Sequence, residues 1–416
     1  MKNKIESLHL RGMRQFHEVD VHFNAGFNFI AGPNGCGKTS ILAGISHCFN
    51  TNFQYSRFSE NVEFWVDLEA NNRNFRIGIG EGAFSRFSYR DTQLYKWVHP
   101  PVAENRESLI IADVPNRPEL LIPLFIGAQR RIKYSKIQGL KREEGLQNQI
   151  DMYISNATKS LHGEWQADVK QWFINRYFII EKEWGKEEAA NWQHMIEMLP
   201  HVGPFDSDFR YITIGKELEP VFSIYGKKCY LEELSAGFQA VLLIIANIIE
   251  WIEASRKDGD RNVKEATGTV LIDELDIHLH PEWQFNIRNG LSRIFPNIQF
   301  IVTTHSPHLL SSADANEVIV MPARLQTNEK LVLRPSNRSY AGWSTDQILS
   351  DVMGVRSLDN KVHEKLVAKA LDCIDTKNVE GLRTAIAELK EVCHPNDTML
   401  VVLTTRLAGL EALADD

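Results

Sequence analysis

A chain of 416 residues, 43% hydrophobic and 24% charged, has the balance of a soluble globular protein, with length for two or three domains or one large domain with an insertion. Its net charge of -8 excludes a chain built as a whole to coat nucleic acid and leaves room only for a local basic patch. The five cysteines are scattered without a Cys-x-x-Cys, which argues against a disulfide framework or a zinc knuckle and for a reducing cytoplasm. Met1-Lys-Asn-Lys-Ile-Glu-Ser7 does not read as a signal peptide. The longest apolar run, Val241-Leu-Leu-Ile-Ile-Ala-Asn-Ile-Ile249, is too short for a bilayer, so we expect a buried core helix and no membrane association.

Residues 5–10, 19–23 and 26–31 read as three short strands. Arg14 lies between the first two, where it either faces a ligand or sits in a solvated turn. The third strand runs into Gly32, Pro33, Asn34, Gly35, Cys36, Gly37, Lys38, Thr39 and Ser40, followed by Ile-Leu-Ala-Gly-Ile, the start of a helix. Strand, glycine-rich turn and helix in that order form a phosphate-binding loop. The glycines let backbone N–H groups face a polyphosphate, and the helix N-terminus adds its partial positive charge. Lys38 has the reach for β- and γ-phosphates, and the Thr39 hydroxyl suits Mg²⁺. Residues 60–130 read as an antiparallel sheet that ends in an apolar strand over 120–130, delivering Gln129 and Arg130.

Residues 130–142 carry Arg130, Arg131, Lys133, Lys136, Lys141 and Arg142 without an acid. They are a candidate for contact with DNA phosphates, against a solvated basic face that begins with a γ-phosphate sensor. Residues 143–200 keep helical spacing and hold Trp165, Trp172, Trp184 and Trp192, which read as core. Glu232-Glu-Leu-Ser-Ala-Gly-Phe-Gln239 precedes the apolar helix. A strand over 269–274 ends in Asp273 and Glu274. Asp273 is placed to hold Mg²⁺ and Glu274 to orient or deprotonate a water. Pro281 suits the first turn of a helix over 282–295. The next buried strand, 299–304, ends at His305, on the ligand edge of such a sheet, where it could bond a γ-phosphate or be structural. Asp276-Ile-His-Leu-His-Pro281 offers His-x-His, but a zinc site needs further ligands. From 341 the pattern becomes four amphipathic helices, the first capped by Ser344 or Thr345.

The order of phosphate loop, Leu-Ser-Ala-Gly-Phe-Gln, Asp-Glu, Leu-Asp and Thr-His-Ser-Pro resembles the ABC-type ATPase heads of chromosome maintenance, DNA repair and bacterial defence. The resemblance covers about residues 1–320. It implies an α/β P-loop NTPase of ABC-ATPase head type with an antiparallel β subdomain, a helical insertion at about 131–230 and a C-terminal helical tail. The head would span 1–340 and a docking or oligomerisation region 341–416. The implied cofactors are ATP and Mg²⁺. Ser235 and Gly237 would contact ATP held by a second subunit, and Asp276 would lie at the subunit seam, so that a homodimer or higher oligomer clamps nucleotide between heads. Ala236 and Phe238 replace the Gly and Gln of the commonest signature. Gln129 matches the family's lid glutamine by position. The chain has no zinc hook, no long coiled coil and no Toprim-like constellation. Asp273-Glu-Leu-Asp-Ile-His-Leu-His-Pro-Glu-Trp-Gln284 and Gly342-Trp-Ser-Thr-Asp-Gln-Ile-Leu349 look similar to Septu-type anti-phage ATPases, which work with a separate HNH nuclease. The competing expectation is a DNA-binding repair or chromosome-maintenance ATPase acting on DNA itself.

Overall fold

The computed structural model describes residues 3–53, 56–86, 92–117, 120–204, 207–323, 329–355, 361–394 and 397–414. The chain divides into two compact units, 1–354 and 355–416.

A five-stranded parallel sheet forms the middle layer of the first unit. Its order is Val318–Val320, Phe27–Ala31, Ile298–Thr303, Gly268–Ile272 and Leu124–Ile126. These strands read as unbroken apolar runs because both faces are buried. Successive side chains go to opposite faces, so each strand feeds two cores. Phe29, Val270, Ile272, Phe300, Val302 and Val318 join the core around the helix Ala236–Ala254. Ile30, Leu271, Ile301 and Ile319 join the core that holds the helix Lys38–His47 and a second sheet. That second sheet has six strands in the order Lys330–Leu333, Phe16–His22, Asn3–Met13, Phe58–Ala70, Arg73–Ile79 and Glu107–Ile110. It is antiparallel through its middle, as expected, with a parallel strand at each edge.

The insertion comprises the helices Leu146–Leu161, Val169–Ile179 and Lys186–Val202, then an antiparallel sheet of Arg210–Ile214, Pro220–Ile224 and Lys227–Tyr230. Trp172 and Trp192 are buried in its core and Trp165 packs against it, but Trp184 is 73% exposed and takes no part. The strand expected over 120–130 shortens to Leu124–Ile126, with Pro123 before it and Gly127 after it. The helix Ala236–Ala254 is long and apolar enough to cross a membrane, yet 89% of its apolar window is buried in the head.

The tail boundary differs from the expected 340. The helix Thr345–Asp351 carries the Ser344–Gln347 capping box, and Ile348, Val352 and Met353 are buried in the core of the first unit. Its apolar face is spent on the head, so the first unit runs to Gly354. The second unit is three helices, Lys361–Asp375, Val379–Val392 and Thr398–Ala414, around Ala370, Leu382, Ala385, Ile386, Leu389, Leu400 and Leu403. None of the five cysteines forms a disulfide.

Candidate functional site

The parallel strands end on one edge, and each end delivers part of the site. Phe27–Ala31 leads into the loop 32–37. Gly32 and Gly37 have φ of 151° and 106°. A Cβ on Gly32 would lie 2.7 Å from Met321 Cβ, and one on Gly37 would lie 2.0 Å from Gln15 Nε2, so only glycine fits. Asn34 and Gly35 are exposed at the tip, while Cys36 is buried beneath it. The buried Lys38 turns back into the loop, where Nζ donates to the carbonyls of Gly32 at 2.8 Å and Pro33 at 3.0 Å. Burial lowers its pKa, against the pull of Cys36, Asp273 and Glu274.

Thr39 Oγ1 donates to the Asp273 carboxylate, 3.0 and 3.1 Å from its two oxygens. This hydrogen bond joins residues 234 positions apart. The hydroxyl of Thr303, at the end of the central strand, donates to Asp273 Oδ1 at 2.6 Å. Glu274 follows in a left-handed backbone with φ of 50°. Such a conformation costs about 1–3 kcal/mol in a non-glycine residue and persists only where its surroundings over-determine it. Arg130 supplies part of that constraint: it is 2% exposed, and its Nη2 donates to the carbonyls of Asp273 and Glu274. Burial brings its guanidinium down to about 10, opposed by Asp276, Asp273 and Glu274, so it stays charged at neutral pH. Arg130 is therefore removed from the expected basic surface: it carries the site from behind.

Asp276 Oδ1 accepts from Thr304 Oγ1 at 2.6 Å and from the His305 N–H at 3.1 Å. The residue expected at a subunit seam thus also holds a turn inside its own head. The His305 ring is half-buried, and burial together with Lys38 lowers its pKa, which leaves a neutral imidazole at pH 7. Arg14 sits in the two-residue turn between the first strands, and its Nη1 donates to Ser40 Oγ at 3.4 Å; it faces the phosphate loop. Its neighbour Gln15, missed in the sequence, accepts from the same hydroxyl at 3.1 Å. Gln129 is exposed and packs against the Gly163 turn.

Ser235 and Gly237 lie apart from this cluster. Ser235 is exposed at the start of the helix Ala236–Ala254, with no side-chain capping bond. Gly237 is buried, and a Cβ there would lie 2.9 Å from the His278 carbonyl oxygen and 3.2 Å from the Trp283 ring. Phe238 packs between Phe209, edge to face, and the tilted ring of Trp283. Gln239 ties the signature loop down, donating to the carbonyls of Glu232 and Leu234 and accepting from the Ile132 N–H. His278 and His280 are both exposed, and among the described residues they join no group of three metal-ligating side chains.

A family model described as an AAA domain matches residues 7–151, and one described as "AAA domain, putative AbiEii toxin, Type IV TA system" matches 209–311. The structure resembles an Smc head, seen in a crystal structure bound to the C-winged helix domain of ScpA. The TM-score is 0.50 at 15% identity, over 80% of this chain and 98% of that one, a likeness of fold. The chain has the fold of the ABC-type ATPase heads. Within them this head is similar to the Septu protein PtuA of Bacillus thuringiensis, 27% identical over 410 residues, 97% of this chain and 98% of the relative. A shorter stretch of the chain, 86 residues, is 44% identical to the retron Ec83 probable ATPase of Escherichia coli, over 21% of this chain and 16% of that protein.

Proposed function

We propose that this head binds ATP with Mg²⁺ and hydrolyses it to ADP and phosphate. The observation that carries the reading is the Thr39–Asp273 hydrogen bond, which brings a hydroxyl and a carboxylate suited to one hard cation together beside the phosphate loop. The glycine cradle and the loop-bound Lys38 fit a polyphosphate. Bound Mg²⁺ would neutralise charge on the phosphates. Lys38 would exchange its loop carbonyls for phosphate oxygens, Thr39 and Asp273 would hold the cation, and Glu274 would take the proton of the attacking water. Neutral His305 would hydrogen-bond the γ-phosphate. Arg14 and Ser40 would flank the nucleotide, and Gln129 would close over it.

The exposed helix start at Ser235 supports completion of this site by a second subunit, because free N–H groups and the helix dipole there suit a γ-phosphate. The active unit in this reading is a dimer or a higher homo-oligomer, located in the bacterial cytoplasm. The near full-length similarity to PtuA supports a role in anti-phage defence, in which nucleotide state regulates a separate effector nuclease of HNH type. The second reading, a repair or chromosome-maintenance ATPase that acts on DNA, draws on the exposed Arg131, Lys133, Lys136, Lys141 and Arg142, now without Arg130.

Nucleotide binding and turnover by the purified chain test the core of the proposal. Lys38→Ala is expected to lose ATP binding, and Glu274→Gln to bind ATP but turn it over very slowly, since an amide cannot act as a base. Unchanged affinity in the first variant would refute the phosphate-loop assignment, and normal turnover in the second would move the base elsewhere. Co-purification of a nuclease from the native operon favours the defence role, whereas strong stimulation of turnover by DNA alone favours the second reading.

A further inference from the structure

The peptide of Glu274 is gripped from both sides. Its N–H donates to Thr303 Oγ1 at 2.7 Å, and its carbonyl accepts from Arg130 Nη2. Neither gripping side chain is free to drift. The Thr303 hydroxyl gives its own proton to Asp273 Oδ1, and Arg130 Nε donates to the Gly127 carbonyl at 3.0 Å while Nη2 also reaches the Asp273 carbonyl. Thr303 ends Ile298–Thr303, and Arg130 follows Leu124–Ile126; these strands flank Gly268–Ile272 on its two sides. Each neighbouring strand thus sends one side chain to the same peptide, the one whose φ of 50° needs outside support. The chemistry fits the geometry. A planar guanidinium presents several N–H donors in a fixed fork spread over separate nitrogens and here bridges three carbonyls, whereas an ammonium gathers its three donors on one nitrogen at the end of a flexible stem and has no fixed fork.

We propose that Arg130 and Thr303 are positioning residues for hydrolysis, a clamp that holds Glu274 in its left-handed conformation so that the carboxylate faces the attacking water. This rests on the reading of Glu274 as the base. The hydrogen bonds of Arg130 go to backbone carbonyls within its own head, those of Gly127, Asp273 and Glu274, so it is placed to act through that backbone, and at Glu274 above all, rather than by holding nucleotide itself. Thr303 has a second duty, because its hydroxyl also orients Asp273.

The test uses the full chain and measures kcat, KM and ATP affinity together. Arg130→Met is expected to lower kcat by about tenfold or more, since small displacements of a catalytic group are costly, while ATP affinity stays within about threefold of wild type. Arg130→Lys, which keeps the charge in the same pocket but loses the fork, is not expected to restore the rate. Thr303→Val is expected to lower kcat and also to raise the Mg²⁺ concentration required. The decisive readout is a double-mutant cycle. In a Glu274→Gln chain, adding Arg130→Met should change the residual rate little, because the residue it positions is already disabled. If Arg130→Met does not fold, Arg130→Lys serves in the same cycle. A folded Arg130 variant with wild-type kcat overturns the clamp. So does a loss as large in the Glu274→Gln background as in wild type, or an affinity that falls in step with kcat. Each leaves the ATPase reading standing if Glu274→Gln alone is slow. Fast turnover by Glu274→Gln overturns both the base assignment and the clamp.

Discussion

Gly237 has two demands on it, one from its own head and one from the proposed partner site, and the two can be separated. It is the second residue of its helix, where alanine would gain up to about 0.5–1 kcal/mol in helix propensity. Against that, its Cβ would stand 2.9 Å from the His278 carbonyl oxygen and 3.2 and 3.5 Å from the Trp283 ring. Neither neighbour yields easily. His278 is already held in a left-handed backbone with φ of 66°, and the Trp283 indole donates to the Val202 carbonyl. Overpacking of this kind costs about 1–3 kcal/mol, so Gly237→Ala should lose about 1–2 kcal/mol net. Ser235 next door is exposed and makes no side-chain capping bond, so a change there costs the head little. Ser235→Glu even places a carboxylate at a helix N-terminus, worth about 0.3–1 kcal/mol, while setting a negative charge against the partner's ATP. Urea denaturation and ATP turnover, run side by side, separate the two roles. Gly237→Ala should shift the unfolding midpoint down, and Ser235→Glu should leave it in place or raise it yet abolish turnover. A Gly237→Ala chain as stable as wild type would refute the packing argument, and a fully active Ser235→Glu chain would refute the shared site.

Mixing Lys38→Ala with Ser235→Glu chains should restore about one working site per mixed dimer by this geometry, read as turnover that neither chain shows alone; failure with both chains folded would mean that each site is complete in one subunit. His47 provides a pH prediction. Its imidazole is fully buried among Phe53, Phe58 and Phe64, and burial, aided by Arg14 and His162, pushes its pKa to about 3. Below about pH 6.5 the unfolded chain takes up a proton that the folded one refuses, so stability falls with pH down to about 3. The loss from this residue should reach about 2 kcal/mol at pH 5, and His47→Phe should remove it; equal slopes in the two chains between pH 7 and 5 would contradict the assignment. A truncation after Gly354 should stay folded and keep turnover, and with it the dimer that completes the site, while losing assembly beyond that dimer or partner capture, if the second unit is the docking region. A cut after Tyr340 removes the buried Ile348, Val352 and Met353, each worth about 1.5–3 kcal/mol of burial, and should be insoluble. A Gly354 truncation that still assembles and captures the partner would sink the docking role.

What the sequence by itself determined is what local chemistry demands. The phosphate loop is legible because a strand, three glycines, Lys38 and a helix must follow one another directly along the chain. The strand ends at Asp273 and His305 are legible because parallel strands buried on both faces are continuous apolar runs, and the residues just after them lie on the ligand edge. Tertiary structure decided everything that depends on which strands are neighbours. Arg130 looked like the first residue of a basic surface, yet because Leu124–Ile126 pairs with Gly268–Ile272 it is buried under the carbonyls of Asp273 and Glu274. Thr303 looked like one more residue of a strand, and the pairing on the other side made it a partner of the same peptide. Gln15 joined the site only because the first hairpin folds over the phosphate loop. The helix Thr345–Asp351 has an amphipathic pattern that suits a tail or a head equally, and only the core it meets assigns it to the head. Periodicity says that a face must be covered; it does not say by what, because the covering residues are distant in the chain and meet only after folding.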